Sequence, residues 1–146
     1  MSSTTSFAAT SSPNTSQPSL APAEYQAGVC NIGPEEIARR RRAGHFGAAI
    51  TVGLLIGLIA LGAPPLLRLV VFLPAAAAAS GYLQAWLKFC AGFGRLGVYN
   101  FGRVGPMTPV TDDASRAADR RKATQIGVAS GLIGLVVAVI AVLLPV

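Results

Sequence analysis

QIGVASGLIGLVVAVIAVLLP, residues 125–145, is an uncharged and almost wholly apolar stretch. A helix needs ~20 such residues to cross the hydrocarbon of a bilayer. Two further stretches match it in length, Phe46 to Ala63 and Leu66 to Phe89. Across all 146 residues the chain is 52% apolar and 12% charged, and its mean hydropathy is +0.55. So few charges cannot cover a water-facing surface, which excludes an ordinary soluble domain. The sequence therefore reads as an all-α integral membrane protein with three transmembrane helices, spans about 46–63, 66–89 and 125–145. The first two form a helical hairpin through Leu61 to Pro65, and a cytoplasmic juxtamembrane helix extends the third.

The placement of positive charge predicts an orientation. Arg39, Arg40, Arg41 and Arg42 precede the first span, while Lys88, Arg95, Arg103, Arg116, Arg120, Arg121 and Lys122 follow the second. Arg68 alone falls at the other end. Basic residues collect on the cytoplasmic side, so the N-terminus is expected in the cytoplasm and the C-terminus outside the cytoplasmic (inner) membrane. Arg68 should snorkel toward the outer headgroups along its own stem. The net charge of +6 would suggest nucleic acid in a soluble chain. Beside apolar spans, anionic lipid is the simpler partner, and no nucleic-acid module is present.

Outside the spans, residues 1–27 are rich in Ser, Thr, Pro and Ala, with Glu24 as the one charge. Such a composition cannot bury enough apolar surface to fold, so this reads as a disordered tail. It lacks the basic start and continuous apolar core of a signal peptide. A basic juxtamembrane helix over 34–44 should begin at Pro34, with Glu35 and Glu36 at the positive end of its dipole. The three-helix domain then occupies 45–146, with a cytoplasmic loop at 90–124. Pro74 deprives the Val70 carbonyl of its helical donor, which predicts a kink in the second span. Thr111, Asp112 and Asp113 offer a cap for one continuous helix from about Asp112 to Leu144.

Small residues recur every four positions in two places: Ala49, Gly53 and Gly57 in the first span, and Ser130, Gly134 and Ala138 in the third. Gly127 and Gly131 form a second small pair. Lipid supplies no hydrophobic drive for helices to associate, and such stripes permit close backbone contact. They suit packing within the chain, and equally a membrane-protein partner or a homo-oligomer.

The stretch CAGFGRLG, residues 90–97, contains G-x-G-x-x-G. A dinucleotide site needs that motif at a strand-to-helix turn in a βαβ unit, and an apolar span precedes it here. Glycine alternating with Phe93, Tyr99 and Phe101, and with Arg95 and Arg103, better suits a loop in the headgroup region or a docking surface. Arg39 to Arg42, with Arg116 and Arg120 one helical turn apart, are expected to meet lipid phosphates or an acidic partner.

Chemistry has few candidates. Cys30, His45 and Cys90 are the soft metal ligands on the cytoplasmic side, and their spacing matches no zinc signature. A reducing cytoplasm disfavours a disulfide between the cysteines. The spans hold no ionisable group apart from Arg68 at an edge, which leaves a proton relay without members. Asp112 and Asp113 serve better as caps than as an acid and base, and the serines lack a histidine to activate them. No enzyme activity and no cofactor are expected. The expectation is a structural or accessory component of a membrane complex. A homo-oligomeric pore or carrier, using Thr51, Ser80, Gln84 and Ser130, is the alternative, and a thiol or metal site at the cytoplasmic face is a third. The stretch Cys30 to Ile37, CNIGPEEI, is distinctive but carries no recognisable chemistry.

Overall fold

A computed structural model describes residues 24–145. The disordered tail expected over 1–27 thus lies largely outside the described residues. The described chain is mostly helical. Three of its helical segments are long and apolar enough to cross a membrane: Pro34–Ala60, Pro65–Trp86 and Asp113–Leu143.

Helix α1, Pro34–Ala60, has proline at its first position and Glu35 and Glu36 in its first turn. It ends in a tight turn where Gly62 takes a left-handed φ of 64°, a conformation that glycine adopts without steric cost. The chain returns through a 3₁₀ segment, Pro65–Val71, and then α2, Phe72–Trp86. Pro74 sits in the first turn of α2. Its missing N–H would have bonded Val70 in the 3₁₀ segment, so the irregularity expected at this proline takes the form of a 3₁₀-to-α junction. Helix α4, Asp113–Leu143, is unbroken. The Asp112 carboxylate accepts hydrogen bonds from the Ser115 N–H at 2.8 Å and the Ser115 hydroxyl at 2.7 Å. Those bonds hold the Asp112 carboxyl below its ordinary pKa.

Helix α2 is central and packs against α1 on one side and α4 on the other. The buried residues of these crossings are small. From α1 they are Gly44, Gly47 and Thr51; from α2, Ala75, Ala78 and Gly81 among others; from α4, Ser130, Gly134, Ala138 and Ala141. A Cβ on Gly81 would lie 2.6 Å from the Gly44 nitrogen, and one on Gly47 would lie 2.9 Å from the Ala78 nitrogen. On the other side, a Cβ on Gly134 would fall 2.7 Å from that of Ala76. Glycine is required at these positions because backbone meets backbone.

Two stripes named from the sequence therefore have different fates. Ser130, Gly134 and Ala138 face α2. Ala49 and Gly53 are exposed, and a Cβ at Gly53 or Gly57 would find nothing within 4 Å. The α1 crossing uses Gly44 and Gly47 instead, because those positions meet the small residues of α2. A Cβ at Gly131 would likewise find nothing within 4 Å, and one at Gly127 would meet only the Arg95 side chain, at 3.4 Å.

Large apolar side chains point outward. Phe46, Ile56, Leu73, Val128, Leu132 and Leu143 are all exposed, an arrangement that water would penalise and hydrocarbon would not. Toward the turn between α1 and α2, Val71, Ala138 and Ala141 form a cluster on which Leu54, Leu55 and Leu58 pack. Arg68 belongs to this end and corrects an expectation. It does not snorkel outward: it is buried, and its Nη1 donates to the carbonyls of Ala141 at 3.3 Å and Leu144 at 3.0 Å. The last carbonyls of a helix have no intrahelical donor and carry partial negative charge, and the guanidinium supplies both a donor and a positive charge.

The connection from α2 to α4 is another correction. Residues 90–112 are not an open loop. They hold a short helix α3, Ala91–Leu96, and a two-residue hairpin in which β1, Val98–Tyr99, pairs antiparallel with β2, Thr108–Pro109. Cys90 caps α3 at its start, and Gly97 closes it with φ of 69°.

Candidate functional site

At the end of the bundle opposite Arg68, residues 24–33, the 88–110 connection and the first turns of α4 fold together into a cap. Asn31 is its central residue and is completely buried. Its side-chain carbonyl accepts from the Cys90 N–H at 2.7 Å, and its amide donates to the Cys90 carbonyl at 3.1 Å. Its backbone N–H donates to the Lys88 carbonyl at 3.2 Å, and its carbonyl accepts from Asn100 at 3.0 Å. Gly33 continues this strand-like pairing by donating to the Asn100 carbonyl at 2.8 Å. A Cβ at Gly33 would strike the Phe101 carbonyl oxygen at 2.5 Å. Asn100 is buried too, and its side chain closes a turn by accepting from Gly102 and donating to the Arg103 carbonyl, both at 2.9 Å. Buried polar groups must be paired; the Asn31 side chain pairs with both backbone groups of Cys90, whose carbonyl also accepts from the Gly94 N–H at 2.9 Å. Lys88 takes a left-handed φ of 52°, uncommon for a residue with a side chain, which aims its carbonyl at Asn31.

A second anchor joins the N-terminal segment to α4. Asp119 is wholly buried and accepts from the Tyr25 hydroxyl at 2.9 Å and the Gly28 N–H at 2.7 Å. The Tyr25 ring stacks on Tyr99 with centroids 4.8 Å apart. Burial, and then the neighbouring Asp119 carboxylate, push the Tyr25 hydroxyl up to about 12. Residues 24–27, assigned above to the disordered tail, are therefore folded. The aromatic and the aspartate that hold them lie far apart in sequence.

A third cluster surrounds Glu36, buried at the start of α1. Arg39 lies 3.5 Å and Arg40 3.6 Å from its carboxylate. Arg40 turns inward, donates to the Cys90 sulfur at 3.1 Å and sits 6.0 Å from the centre of the Phe93 ring. Arg39, Arg41 and Arg42 remain exposed. Arg116 and Arg120, read as one surface, differ in role. Arg116 reaches the Thr111 carbonyl at 3.4 Å and Asp113 at 3.8 Å. Arg120 is exposed.

The three candidate metal ligands have separate partners. The Cys30 thiol donates to the Glu24 carbonyl at 3.2 Å, His45 Nδ1 lies 2.7 Å from the Tyr82 hydroxyl, and Cys90 accepts from Arg40. Among the described residues no three His, Cys, Asp or Glu are grouped to hold a metal ion. Both cysteines are free thiols. The glycines of G-x-G-x-x-G lie in and just after α3, where Gly94 fits between Phe89 and the Asp119 carbonyl. That is a packing role, without the strand-to-helix turn that cradles a pyrophosphate. The polar residues of the spans bond locally: Thr51 to the Gly47 carbonyl, Ser130 to the Ile126 carbonyl, and Gln84 to Ser80 and the Ala91 N–H.

Beneath the cap, α2, α3 and α4 frame an open groove of about 560 Å³. Arg40 and Arg95 line it together with Ala76, Gly127, Ser130 and Gly131. The sequence reading missed Asn31, Asn100 and Asp119 as positioned residues. The distinctive stretch from Cys30 to Ile37 was the one available signal for the first of them. Comparison with known proteins finds no matching family model, no matching curated protein and no matching solved structure.

Proposed function

We propose that this chain is a three-span protein of the cytoplasmic (inner) membrane, with its cap in the cytoplasm and its C-terminus outside. In this reading it is an accessory component of a membrane complex, without catalytic activity of its own. The distribution of charge supports the orientation. Every Lys and Arg of the described residues except Arg68 lies at or near the capped end, and Arg68 is taken up by the terminal carbonyls of α4. That is the asymmetry of positive charge that orients membrane helices.

The observation that carries the accessory role is the uncovered face of α1. Ala49, Gly53 and Gly57 repeat every four residues, and the chain's other helices do not pack on Gly53 or Gly57. In lipid a stripe of this kind allows a second helix to approach closely. Its occupant is a helix of another membrane protein, while the cap presents Arg39, Arg41, Arg42 and Arg120 to headgroups or to an acidic cytoplasmic segment. The test is the native mass of the full chain, purified at natural expression level in a mild detergent. A second membrane protein should co-purify, and Gly53→Leu or Gly57→Leu should release it without unfolding the chain. A homo-oligomer free of other proteins would favour the pore or carrier instead, and a lone monomer would overturn both.

A further inference from the structure

The groove beneath the cap combines positive charge with empty space. Of its two guanidinium groups, Arg40 is held from behind by Glu36 at 3.6 Å. The Arg95 side chain makes no hydrogen bond or ion pair among the described residues. It leaves the last turn of α3 and lies across α4, where a Cβ on Gly127 would come 3.4 Å from its Nη2. No carboxylate lines the groove. Part of the wall is made of small residues, Ala76, Gly127 and Gly131, where a Cβ on Gly131 would find nothing within 4 Å, and Phe93 and Leu96 add apolar side chains. Ser80, Gln84 and Ser130 also border it, with hydrogen bonds made inside the chain.

Gln125 marks where the apolar part of α4 begins, so Arg95 stands at the depth of lipid headgroups and the Gly127–Gly131 slot runs toward the hydrocarbon. The volume falls within the ~300–1,000 Å³ usual for a ligand pocket. A cationic mouth over an apolar slot is complementary to one kind of molecule: an amphiphile with an anionic head. We propose that this groove binds one anionic phospholipid, its phosphate between Arg95 and Arg40 and one acyl chain over Gly127 and Gly131. The inference rests on the membrane-spanning reading above, and it names the lipid rather than the protein partner. Guanidinium groups suit phosphate because their donors match two oxygens at once.

The full chain in detergent, mixed with equimolar phosphatidylglycerol and phosphatidylcholine, can be examined by native mass spectrometry. One phosphatidylglycerol should be retained per chain in preference to phosphatidylcholine. Arg95→Gln should reduce that preference roughly five- to tenfold, the effect of losing one interfacial positive charge. Gly131→Leu should eliminate retention with an unchanged thermal melt, since its side chain enters open space and leucine favours helix. Equal retention of the two lipids, or retention unaltered by both substitutions, overturns the proposal. So does displacement of phosphatidylglycerol by millimolar inorganic phosphate, which would assign the site to a soluble anion, or a lipid-free dimer with the groove filled by a second copy. Alkaline carbonate extraction of membranes separates this inference from its premise. A chain released by carbonate sinks the spanning reading, whereas a chain that stays but shows no lipid preference sinks the groove alone.

Discussion

At the scale of single residues, two buried polar side chains, Asn31 and Asp119, hold the cap together. Replacing Asn31 by Ala strands the Cys90 N–H, whereas the Cys90 carbonyl keeps the Gly94 N–H at 2.9 Å; one unsatisfied buried group costs about 1–3 kcal/mol. Limited proteolysis should then cut between residues 24 and 33, while the apolar helices stay protected. Asn31→Asp should be at least as harmful, because it buries a carboxylate oxygen against the Cys90 carbonyl. Tyr25 supplies a pH test. Its hydroxyl titrates near 12 in the folded cap, above its ordinary 10.0, because burial and Asp119 disfavour the phenolate. A raised pKa means stability fully present below pH 10 and lost as pH rises from 10 toward 12. The 24–30 segment should detach over that window, followed by proteolytic susceptibility at neutral-stable protease concentrations. In Tyr25→Phe the alkaline transition should vanish, and the segment should already be looser at pH 7.

At the scale of elements, the bundle is joined through glycine and alanine and surrounded by leucine, isoleucine and valine. Gly134→Leu and Gly47→Leu each push a side chain into the backbone of α2, and overpacking of this kind costs about 1–3 kcal/mol or more. Gly53→Leu meets nothing within the chain. Thermal unfolding in detergent should therefore drop for the first two and hold for the third. Equal losses at all three would mean that the α1 face is wrongly assigned. The spans were legible in the sequence because their signal is composition, which needs no knowledge of neighbours. The packing faces were half legible. Ser130, Gly134 and Ala138 matched the spacing rule and do pack, but Ala49, Gly53 and Gly57 matched it equally well and do not. The deciding fact is what lies opposite, and period alone cannot carry that. The cap was not legible for the same reason in stronger form. Asn31 pairs with Cys90 at a separation of 59 residues, through backbone groups that every residue possesses. Helix α3 was hidden by its own glycines, which read locally as loop although Cys90 and Gly97 cap a helical turn.

For the whole molecule, the two ends of the bundle are chemically unlike. One carries the cap and nearly all the positive charge; the other carries a tight turn and a single arginine folded onto α4. On the proposed topology a reporter fused after Val146 should be active outside the cytoplasm, and one inserted at Gly105 should be active inside. A cytoplasmic signal from the C-terminal fusion would overturn the orientation. Arg68→Leu provides a further contrast. It leaves the charge at the capped end unchanged, so orientation should persist. The end of α4 should fray for want of donors, read as faster hydrogen exchange at Leu143 and Leu144.

The Tyr25–Asp119 contact joins residues 94 positions apart, and this dictates an order of events during synthesis. A ribosome delivers Tyr25 and Asn31 long before Asp119 exists, so on the proposed topology the N-terminal segment waits unpaired while the first hairpin is inserted. The cap can close only when α4 has been made and has brought Asp119 back to the side where the chain began. On that topology its closure is a record that all three passages were completed. A chain stalled or inverted at the third helix would leave Tyr25 and Gly28 without their shared acceptor, marking it for proteases that survey nascent membrane proteins.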